Sequence, residues 1–284
     1  MGRDLGYAIS AVLLWSTVAS AFKIALSEMS ISALIFYSSS FSTLILLISV
    51  ILQGKLSKEI FSAKNLERSL LLGALNPFLY YNLLFISYSL LPAQEAQGIN
   101  FSWPVILALL SPAMLKQKIS VRSMMAVVMS FSGVVVISIR TVSLSGALVA
   151  LSSAFVWAIY WLGNTRDDVE QNVRLFLNFL FGSLFASLPF LFEFEPPSLS
   201  AFYIGAFEMG ITFILWQKAL KLSGNAARTA NLVYLAPFIS LIFIHGVLGE
   251  EIELRTVAGL ILVLTGILLQ TRRKIEVKMQ DKKG

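Results

Sequence analysis

Charged side chains inside apolar runs are the residues of this chain whose presence most needs a chemical reason. Glu208 lies near the middle of the apolar run 199–221, where an unpaired carboxylate costs on the order of a few kcal/mol by membrane-insertion scales. Such a residue either serves a function, for example by exchanging a proton, or is neutralised by a cationic partner. Lys23 and Arg228 also lie within apolar runs and are the candidates for that partner.

Two apolar runs, 93–115 and 225–247, each begin with a polar head and contain a proline. Glu95 in the first head and Arg228 in the second occupy matching places with opposite charge. We expect this pair to bind a zwitterion, to gate a pathway or to anchor helix ends at the interface, and the sequence leaves these three roles open. The polar residues of the two heads are Gln94, Glu95, Gln97, Asn100, Arg228 and Asn231.

Aromatic residues share helix faces with these polar groups. Ser153, Trp157 and Tyr160 fall on one helical stripe, and Glu208, Thr212 and Trp216 fall on another. Aromatic faces suit apolar or cationic metabolites, although Trp and Tyr in apolar helices more often serve packing or the interfacial belt. The predicted substrate-binding residues are Trp15, Tyr80, Glu95, Asn100, Trp103, Trp157, Tyr160, Glu208, Trp216, Asn231 and Tyr234.

Residues for catalysis or metal binding are scarce. The chain has no cysteine and one histidine, His245, so thiolate nucleophiles and zinc clusters are excluded. An intramembrane enzyme acting on lipid would need a cluster of His, Cys or paired Asp near an interface, and only Asp167 and Asp168 in a loop offer a pair. We therefore predict a protein that is not an enzyme, with no catalytic residue, no cofactor and no metal.

Composition places the chain in a membrane. Of its 284 residues, 57% are hydrophobic and 13% are charged, with a mean hydropathy of +0.78, whereas about a quarter of residues are charged in soluble domains. Apolar runs of membrane-spanning length recur along the chain, and we predict an all-α membrane protein with ten transmembrane helices. Their predicted ranges are 5–26, 31–52, 69–90, 93–115, 121–139, 144–163, 173–192, 199–221, 225–247 and 255–271.

Lys and Arg residues are distributed unequally between alternate loops. Apart from Lys23 and Arg228 within the runs, one side has only Arg140 and Arg255, and all other basic residues fall on the opposite side or in the tail. The positive-inside rule then predicts a multi-pass protein of the cytoplasmic (inner) membrane with both termini cytoplasmic. Because topology explains the net charge of +6, we expect no nucleic-acid partner.

The two halves of the chain match each other in position. At an offset of 133 residues, Pro104 aligns with Pro237 and Gly133 with Gly266. Five spans in each half would insert the second half upside down relative to the first, as in many secondary transporters with a central substrate site. We predict two inverted five-helix repeats around a central cavity, at 1–141 and 142–272, followed by a basic cytoplasmic tail at 273–284.

Four short strings carry a family resemblance, namely LLWST at 13–17, NFSWP at 100–104, FVWAIY at 155–160 and ILWQKAL at 214–220. With these strings the chain resembles the ten-span EamA-like family of the drug/metabolite transporter (DMT) superfamily, and within it the branch of aromatic amino-acid exporters. The resemblance implies a basket of ten helices whose central cavity opens alternately to either side. It also implies that Trp15, Asn100, Trp103, Trp157 and Trp216 line or shape that cavity.

The function that we expect is export of amino acids, aromatic ones among them, or of related small metabolites by alternating access. A multidrug or organic-cation exporter of the same fold is the alternative, because an aromatic cavity with one acid would serve either substrate. The expected partners are a small-molecule substrate and the lipid bilayer. The sequence leaves open whether protons are a third partner. The expected assembly is a monomer or a homodimer. Spans 1, 3, 4, 6, 8 and 9 should line the pathway, since the other four are nearly all apolar.

Overall fold

Helices make up all the regular structure that the computed structural model describes. It describes residues 3–115, 121–138, 143–164, 169–192, 194–223, 229 and 231–280, and no strand occurs within them. The helices are α1 (Arg3–Glu28), α2 (Ile31–Leu52), α3 (Ala63–Leu90), α4 (Ala93–Asn100), α5 (Trp103–Leu115), α6 (Val121–Ser138), α7 (Leu144–Asn164), α8 (Gln171–Phe190), α9 (Leu199–Leu222), α10 (Leu232–Leu248) and α11 (Leu254–Gln280).

Length and composition make most of these helices fit to cross a bilayer. Six of those described, α1, α2, α3, α7, α8 and α9, are long and apolar enough to do so alone. Shorter apolar helices lie at 124–138, 232–248 and 254–269. A helix satisfies its backbone hydrogen bonds internally, which is the condition for crossing hydrocarbon. The chain is therefore a multi-pass membrane protein.

The described helix boundaries differ from the sequence prediction at several places, three of which change how the chain is divided. α3 begins at Ala63 rather than at residue 69, and α11 continues to Gln280 rather than 271. The predicted fourth span is broken at Phe101 and Ser102 into α4 and α5. Pro104 explains the break, because it has no N–H to donate to the carbonyl of Asn100 and its ring crowds that turn.

α3 and α9 are both irregular near their middles. α3 is kinked at Ala74–Leu79, where Asn76 has extended backbone angles of φ −145° and ψ 123°. A residue before proline is pushed away from helical angles, and Pro77 follows, joined through a cis peptide bond. α9 contains a π-helical segment at Ile204–Ile211. π-helical turns occur frequently at functional sites.

Glycines allow these two helices to approach their neighbours closely. A Cβ on Gly73 would overlap the Asn178 carbonyl oxygen of α8, and a Cβ on Gly205 would overlap the Ser38 carbonyl oxygen of α2. Backbones without an intervening Cβ pack in close van der Waals contact, which is a main source of helix association in membranes. α3 is thereby held on α8, and α9 on α2.

α6 and α11 cross in a similarly close contact. A Cβ on Gly133 would overlap the Gly259 carbonyl oxygen, and one on Gly266 would overlap the Ala126 carbonyl oxygen. Between these contacts the Ser130 hydroxyl donates to the Val263 carbonyl at 3.2 Å. The contact of Gly133 with Gly259 therefore has a counterpart, that of Gly266 with Ala126, in which the two helices exchange roles.

Candidate functional site

A cavity of about 190 Å³ lies within the helix bundle. Residues from α1, α3, α4, α5, α7, α9 and α10, together with Phe101 of the break, line it. These elements correspond to spans 1, 3, 4, 6, 8 and 9 of the sequence analysis. The lining residues are Trp15, Val18, Phe22, Tyr80, Leu84, Tyr88, Gln97, Asn100, Phe101, Trp103, Trp157, Trp161, Glu208, Phe213, Trp216, Val233 and Tyr234.

Trp157 is the centre of the aromatic wall. Its ring lies 4.4 Å from that of Tyr80 and 6.4 Å from that of Trp103, measured between centroids. On another side of the wall, the Trp15 and Trp216 rings lie 5.3 Å apart with planes at 61°. Rings in such tilted and edge-to-face arrangements hold one another in place. The cavity is thus bounded by mutually supported aromatic surfaces.

A short hydrogen-bond chain orients the amide of Asn100. The Tyr80 hydroxyl donates to Asn100 Oδ1 at 3.3 Å, and Asn100 Nδ2 donates to the Ser153 hydroxyl at 2.8 Å. The Ser153 hydroxyl in turn donates to the Ala150 carbonyl at 2.6 Å. The chain joins α3, α4 and α7 at the cavity wall.

Glu208 places a carboxylate in this aromatic setting. Its side chain is 8% exposed, and Oε1 accepts a hydrogen bond from the Tyr81 hydroxyl at 3.2 Å. Oε2 has no hydrogen-bond partner within the described part of the chain. Lys23 does not neutralise it, because the Lys23 ammonium donates to the carbonyls of Tyr88 and Leu91 at 2.7 and 2.8 Å. Arg228, the other predicted partner, lies outside the described residues.

Most of the predicted site residues converge on the cavity. Those that line it are Trp15, Tyr80, Asn100, Trp103, Trp157, Glu208, Trp216 and Tyr234. Tyr160 does not, because its hydroxyl accepts from Asn178 Nδ2 at 3.1 Å, away from the lining. Asn231 begins a 3₁₀ turn, and its side chain lies outside the described residues.

Glu95 also lies away from the cavity lining. It is 0% exposed and accepts from the Arg255 guanidinium at 2.5 Å. The sequence analysis noted that Glu95 and Arg228 occupy matching places in the two polar heads; the structure pairs Glu95 with Arg255, 160 residues away along the chain. A buried carboxylate needs such a partner, since removing one member of a buried pair is strongly destabilising.

Further contacts join the start of α4 to the turn before α11. The Glu250 carboxylate accepts from the Ala93 backbone N–H at 2.8 Å, and Gln94 Nε2 donates to the Glu251 carbonyl at 2.7 Å. An acidic group is stabilised at a helix N-terminus by the unpaired N–H groups there. We call these contacts and the Glu95–Arg255 pair the Glu95 network. It holds together one end of the bundle.

Glu170 forms a different cluster at the opposite end of the bundle. Its carboxylate pairs with Lys55 at 2.9 Å and with Lys221 at 2.7 Å, and accepts from the Asn172 backbone N–H at 2.8 Å. Partial burial raises the pKa of Glu170, but these hydrogen bonds outweigh burial and lower it to about 2. Lys221 is 56% exposed, so water competes for this pair.

The cavity residues that sequence reasoning missed include Phe22, Tyr88, Trp161 and Phe213. Trp161 was recognisable, because it follows Trp157 by one helical turn and lies on the same stripe. The others sit among apolar neighbours of similar type, so their spacing alone did not single them out. No group of three or more His, Asp or Glu side chains suited to a metal ion occurs among the residues that the structure describes.

Comparison with known proteins identifies the architecture. The model of the EamA-like transporter family matches the chain twice, at residues 4–139 and 144–272. The chain belongs to this family. The family is part of the DMT superfamily to which the sequence analysis assigned the chain; nothing in these comparisons singles out the aromatic amino-acid exporter branch.

Relatives of the EamA-like chain occur in bacteria and archaea. It is 28% identical over 217 residues to the uncharacterized transporter YvbV of Bacillus subtilis, covering 71% of each chain. It is 25% identical over 224 residues to an uncharacterized transporter of Archaeoglobus fulgidus, covering 74% of this chain and 79% of that one. A protein crystal structure with 18% sequence identity shares its fold, with a TM-score of 0.68 over 95% of this chain and 96% of that one.

Proposed function

We propose that this EamA-like transporter is a secondary carrier that exports amino acids or related small amine-bearing metabolites across the cytoplasmic membrane by alternating access. The observation that carries the proposal is the aromatic cavity within the bundle, lined by Glu208 and Asn100. Aromatic faces hold apolar side chains and ammonium groups alike. The family and the names of its relatives support transport over the intramembrane enzyme considered from the sequence.

Alternating access requires two halves that rock about a central site. We propose that 1–141 and 142–272 are these halves, inserted in opposite senses, with 273–284 as a tail. The exchanged contacts support this: Gly73 packs on α8 while Gly205 packs on α2, and two glycine contacts between α6 and α11 are reciprocal. The two family matches, at 4–139 and 144–272, agree with a duplication.

The proposed orientation places the Glu95 network on the outer side of the membrane and the Glu170 cluster on the cytoplasmic side. The excess of Lys and Arg in the loops on the Glu170 side supports it. In this arrangement the Glu95 network closes the outer end. Export then requires the Glu95–Arg255 pair to separate after the substrate enters from the cytoplasm.

Cysteine labelling tests this gate directly, because the chain has no native cysteine. Gln97→Cys places a thiol in the cavity wall, and a membrane-impermeant thiol reagent added outside reports access to it. Adding Arg255→Gln should raise the labelling rate about tenfold. Glu251→Gln is the matched control, since Gln94 uses the Glu251 backbone carbonyl rather than its carboxylate. Equal labelling rates in all three backgrounds would remove the Glu95 network as the outer gate.

Counterflow in proteoliposomes tests the transport activity and its substrate. Vesicles preloaded with unlabelled phenylalanine, other amino acids or organic amines should accumulate the labelled counterpart. Trp157→Leu should lower accumulation about tenfold, whereas Phe194→Leu, which alters an exposed ring, should not. Absence of counterflow for every amino acid and amine in the panel would overturn the proposed function.

Glu208 is the residue that would couple transport to protons. A carboxylate in the cavity can bind a proton when the substrate is absent and release it when the substrate binds. A facilitator needs no such titrating group. With the transported substrate, Glu208→Gln should abolish the response of flux to an imposed pH gradient. Unchanged sensitivity would eliminate Glu208 as the coupling site.

An organic-cation exporter is the second candidate function. It is favoured by one observation: no Lys, Arg or His side chain lines the cavity among the described residues. For both candidate functions we expect the same assembly, a monomer or a homodimer.

A further inference from the structure

The charges around the cavity are unbalanced within the part of the chain that the structure describes. Glu208 is the charged side chain of the lining. Two described cations of the bundle are engaged with other groups: Lys23 donates to two backbone carbonyls, and Arg255 pairs with Glu95 and Glu253. Among the described residues, the cavity thus offers a counter-ion for a cation and none for an anion.

The Glu208 carboxylate belongs to the cavity lining, and one of its oxygens has no described partner. Tyr81 donates to Glu208 Oε1 and fixes the orientation of the carboxylate, which leaves Oε2 as an acceptor that is more than nine-tenths buried and has no described partner. A buried acceptor without a donor is costly, and a charged one more so. An ammonium N–H would satisfy Oε2 with a charge-assisted hydrogen bond.

The remaining wall fits the apolar part of such a ligand. Trp157 contacts the rings of Tyr80, Trp103 and Trp161. Phe213 contacts both Trp157 and Trp15, and Trp15 packs on Trp216, so the rings form one continuous aromatic group. Aromatic faces attract cations by their quadrupole and accept aryl rings by stacking. A carboxylate on the ligand would instead be desolvated near Glu208, where no described lining residue is cationic and able to pair with it, which is unfavourable.

We propose that the transported molecule is a hydrophobic monoamine in its ammonium form, and that Glu208 Oε2 binds the ammonium group while the Trp and Tyr side chains enclose the apolar part. The inference rests on the proposed transport function and narrows its substrate class. Tyr81 is a positioning residue, because it acts on the substrate only by orienting Glu208.

Binding to the purified full-length protein in nanodiscs tests the substrate class. The matched probes are phenethylamine and phenylalanine, which differ by one carboxylate and can be followed by quenching of the protein's tryptophan fluorescence. We expect phenethylamine to bind at least about tenfold more tightly than phenylalanine. Equal affinity, or tighter binding of phenylalanine, would overturn the inference.

Variants of Glu208 and of its hydrogen-bond donor Tyr81 complete the test. Glu208→Gln should weaken phenethylamine binding at least about tenfold, and Tyr81→Phe should weaken it less. Glu67→Gln removes an exposed carboxylate from α3 outside the cavity and should leave the affinity unchanged. Melting temperatures separate misfolding from loss of binding. Undiminished binding in a folded Glu208→Gln protein would contradict the assigned role.

Counterflow distinguishes failure of this inference from failure of the proposed function. If phenylalanine exchanges across the vesicle membrane and phenethylamine does not, the protein is a carrier and the monoamine assignment is wrong. If phenethylamine binds through Glu208 but neither compound crosses, the binding site stands and the transport function fails.

Discussion

α3 and α9 are each the third helix within a segment that the family model matches, and their middle parts are built differently. Each has a glycine in close contact with a neighbouring helix, but α3 is kinked at Ala74–Leu79 whereas α9 contains a π-helical segment at Ile204–Ile211. At an offset of 132 residues, Asn76 of α3 corresponds to Glu208 of α9. Asn76 is 0% exposed and lies outside the cavity lining, whereas Glu208 lines the cavity.

The difference follows from the backbone at each position. Asn76 takes extended angles before Pro77, whose ring packs against Gly182 of α8. Glu208 has no proline beside it, and its helix continues as a π-helical segment. A single neighbouring residue therefore turns one polar position into part of the scaffold, while its counterpart remains available to a ligand.

Substitution of Gly73 or Gly205 should destabilise the protein more than the other changes, and by similar amounts. Gly73→Val and Gly205→Val each place side-chain atoms on a backbone carbonyl, so we expect destabilisation of about 1–3 kcal/mol or more. The measurement is the yield and melting temperature of detergent-purified protein. Gly246→Ala, where a Cβ meets nothing within 4 Å, should behave as wild type. A tolerated Gly205→Val would show that α9 does not depend on close packing as α3 does.

The anchors of the two helices should differ in strength. Arg174 is 2% exposed and donates to the Asn65 carbonyl at 2.9 Å and the Ser69 hydroxyl at 2.6 Å, both in α3. Arg174→Gln should cost about 1–3 kcal/mol because buried acceptors lose their donor. Lys221→Gln at the end of α9 removes a largely exposed ion pair and should cost about 0–1 kcal/mol. Equal losses of melting temperature would contradict this ranking.

Asn76 tests whether α3 contributes to ligand binding. Asn76→Ser should lower the melting temperature, because it leaves space in a fully buried site, by about 1–2 kcal/mol of stability. The affinity for phenethylamine should stay within about twofold of wild type, in contrast to Glu208→Gln. A tenfold loss of affinity in a folded Asn76→Ser protein would place both polar positions in the binding site.

The Glu170 cluster should give the smallest effect and a pH dependence of known sign. Because its folded pKa is lowered to about 2, its contribution is present above the unfolded pKa of about 4.3 and is lost as pH falls toward 2. Glu170→Gln should therefore lower the melting temperature slightly at pH 7, and the difference from wild type should narrow below pH 4. A difference that grows on acidification would contradict the lowered pKa.

Sequence patterns predicted the helices and the sides of the cavity better than the individual contacts. Polar and aromatic stripes identified the six spans that line the cavity, since the remaining spans are nearly uniform in polarity. The break at Phe101 and Ser102 was missed, although Pro104 was noted, because a proline can kink a helix or end it. The early start of α3 at Ala63 was missed because the residues before 69 are largely polar.

Contacts between distant segments could not be predicted from one sequence. Glu95 and Arg228 matched by position, yet Glu95 pairs with Arg255, which a count of loop charges treats only as a topology signal. Tyr160 shares a stripe with Trp157 but faces Asn178. A stripe of residues fixes only the broad side of a helix on which a side chain lies. The direction of the side chain within that side depends on which neighbouring helix supplies its partner.

Arg255 has more than one acceptor, and in the proposed transport cycle this would make the outer closure easier to reverse. Its guanidinium donates to Glu95 on α4, to the Ile137 carbonyl of α6 and to Glu253, two residues earlier in its own chain segment. If α4 moves away as proposed, Arg255 keeps the Glu253 carboxylate, which belongs to the same segment, and only Glu95 gives up its ion pair. Glu95 must then be hydrated as it leaves, since a lone buried carboxylate is costly. Entry of water at this end and departure of the helix should consequently occur as a single event.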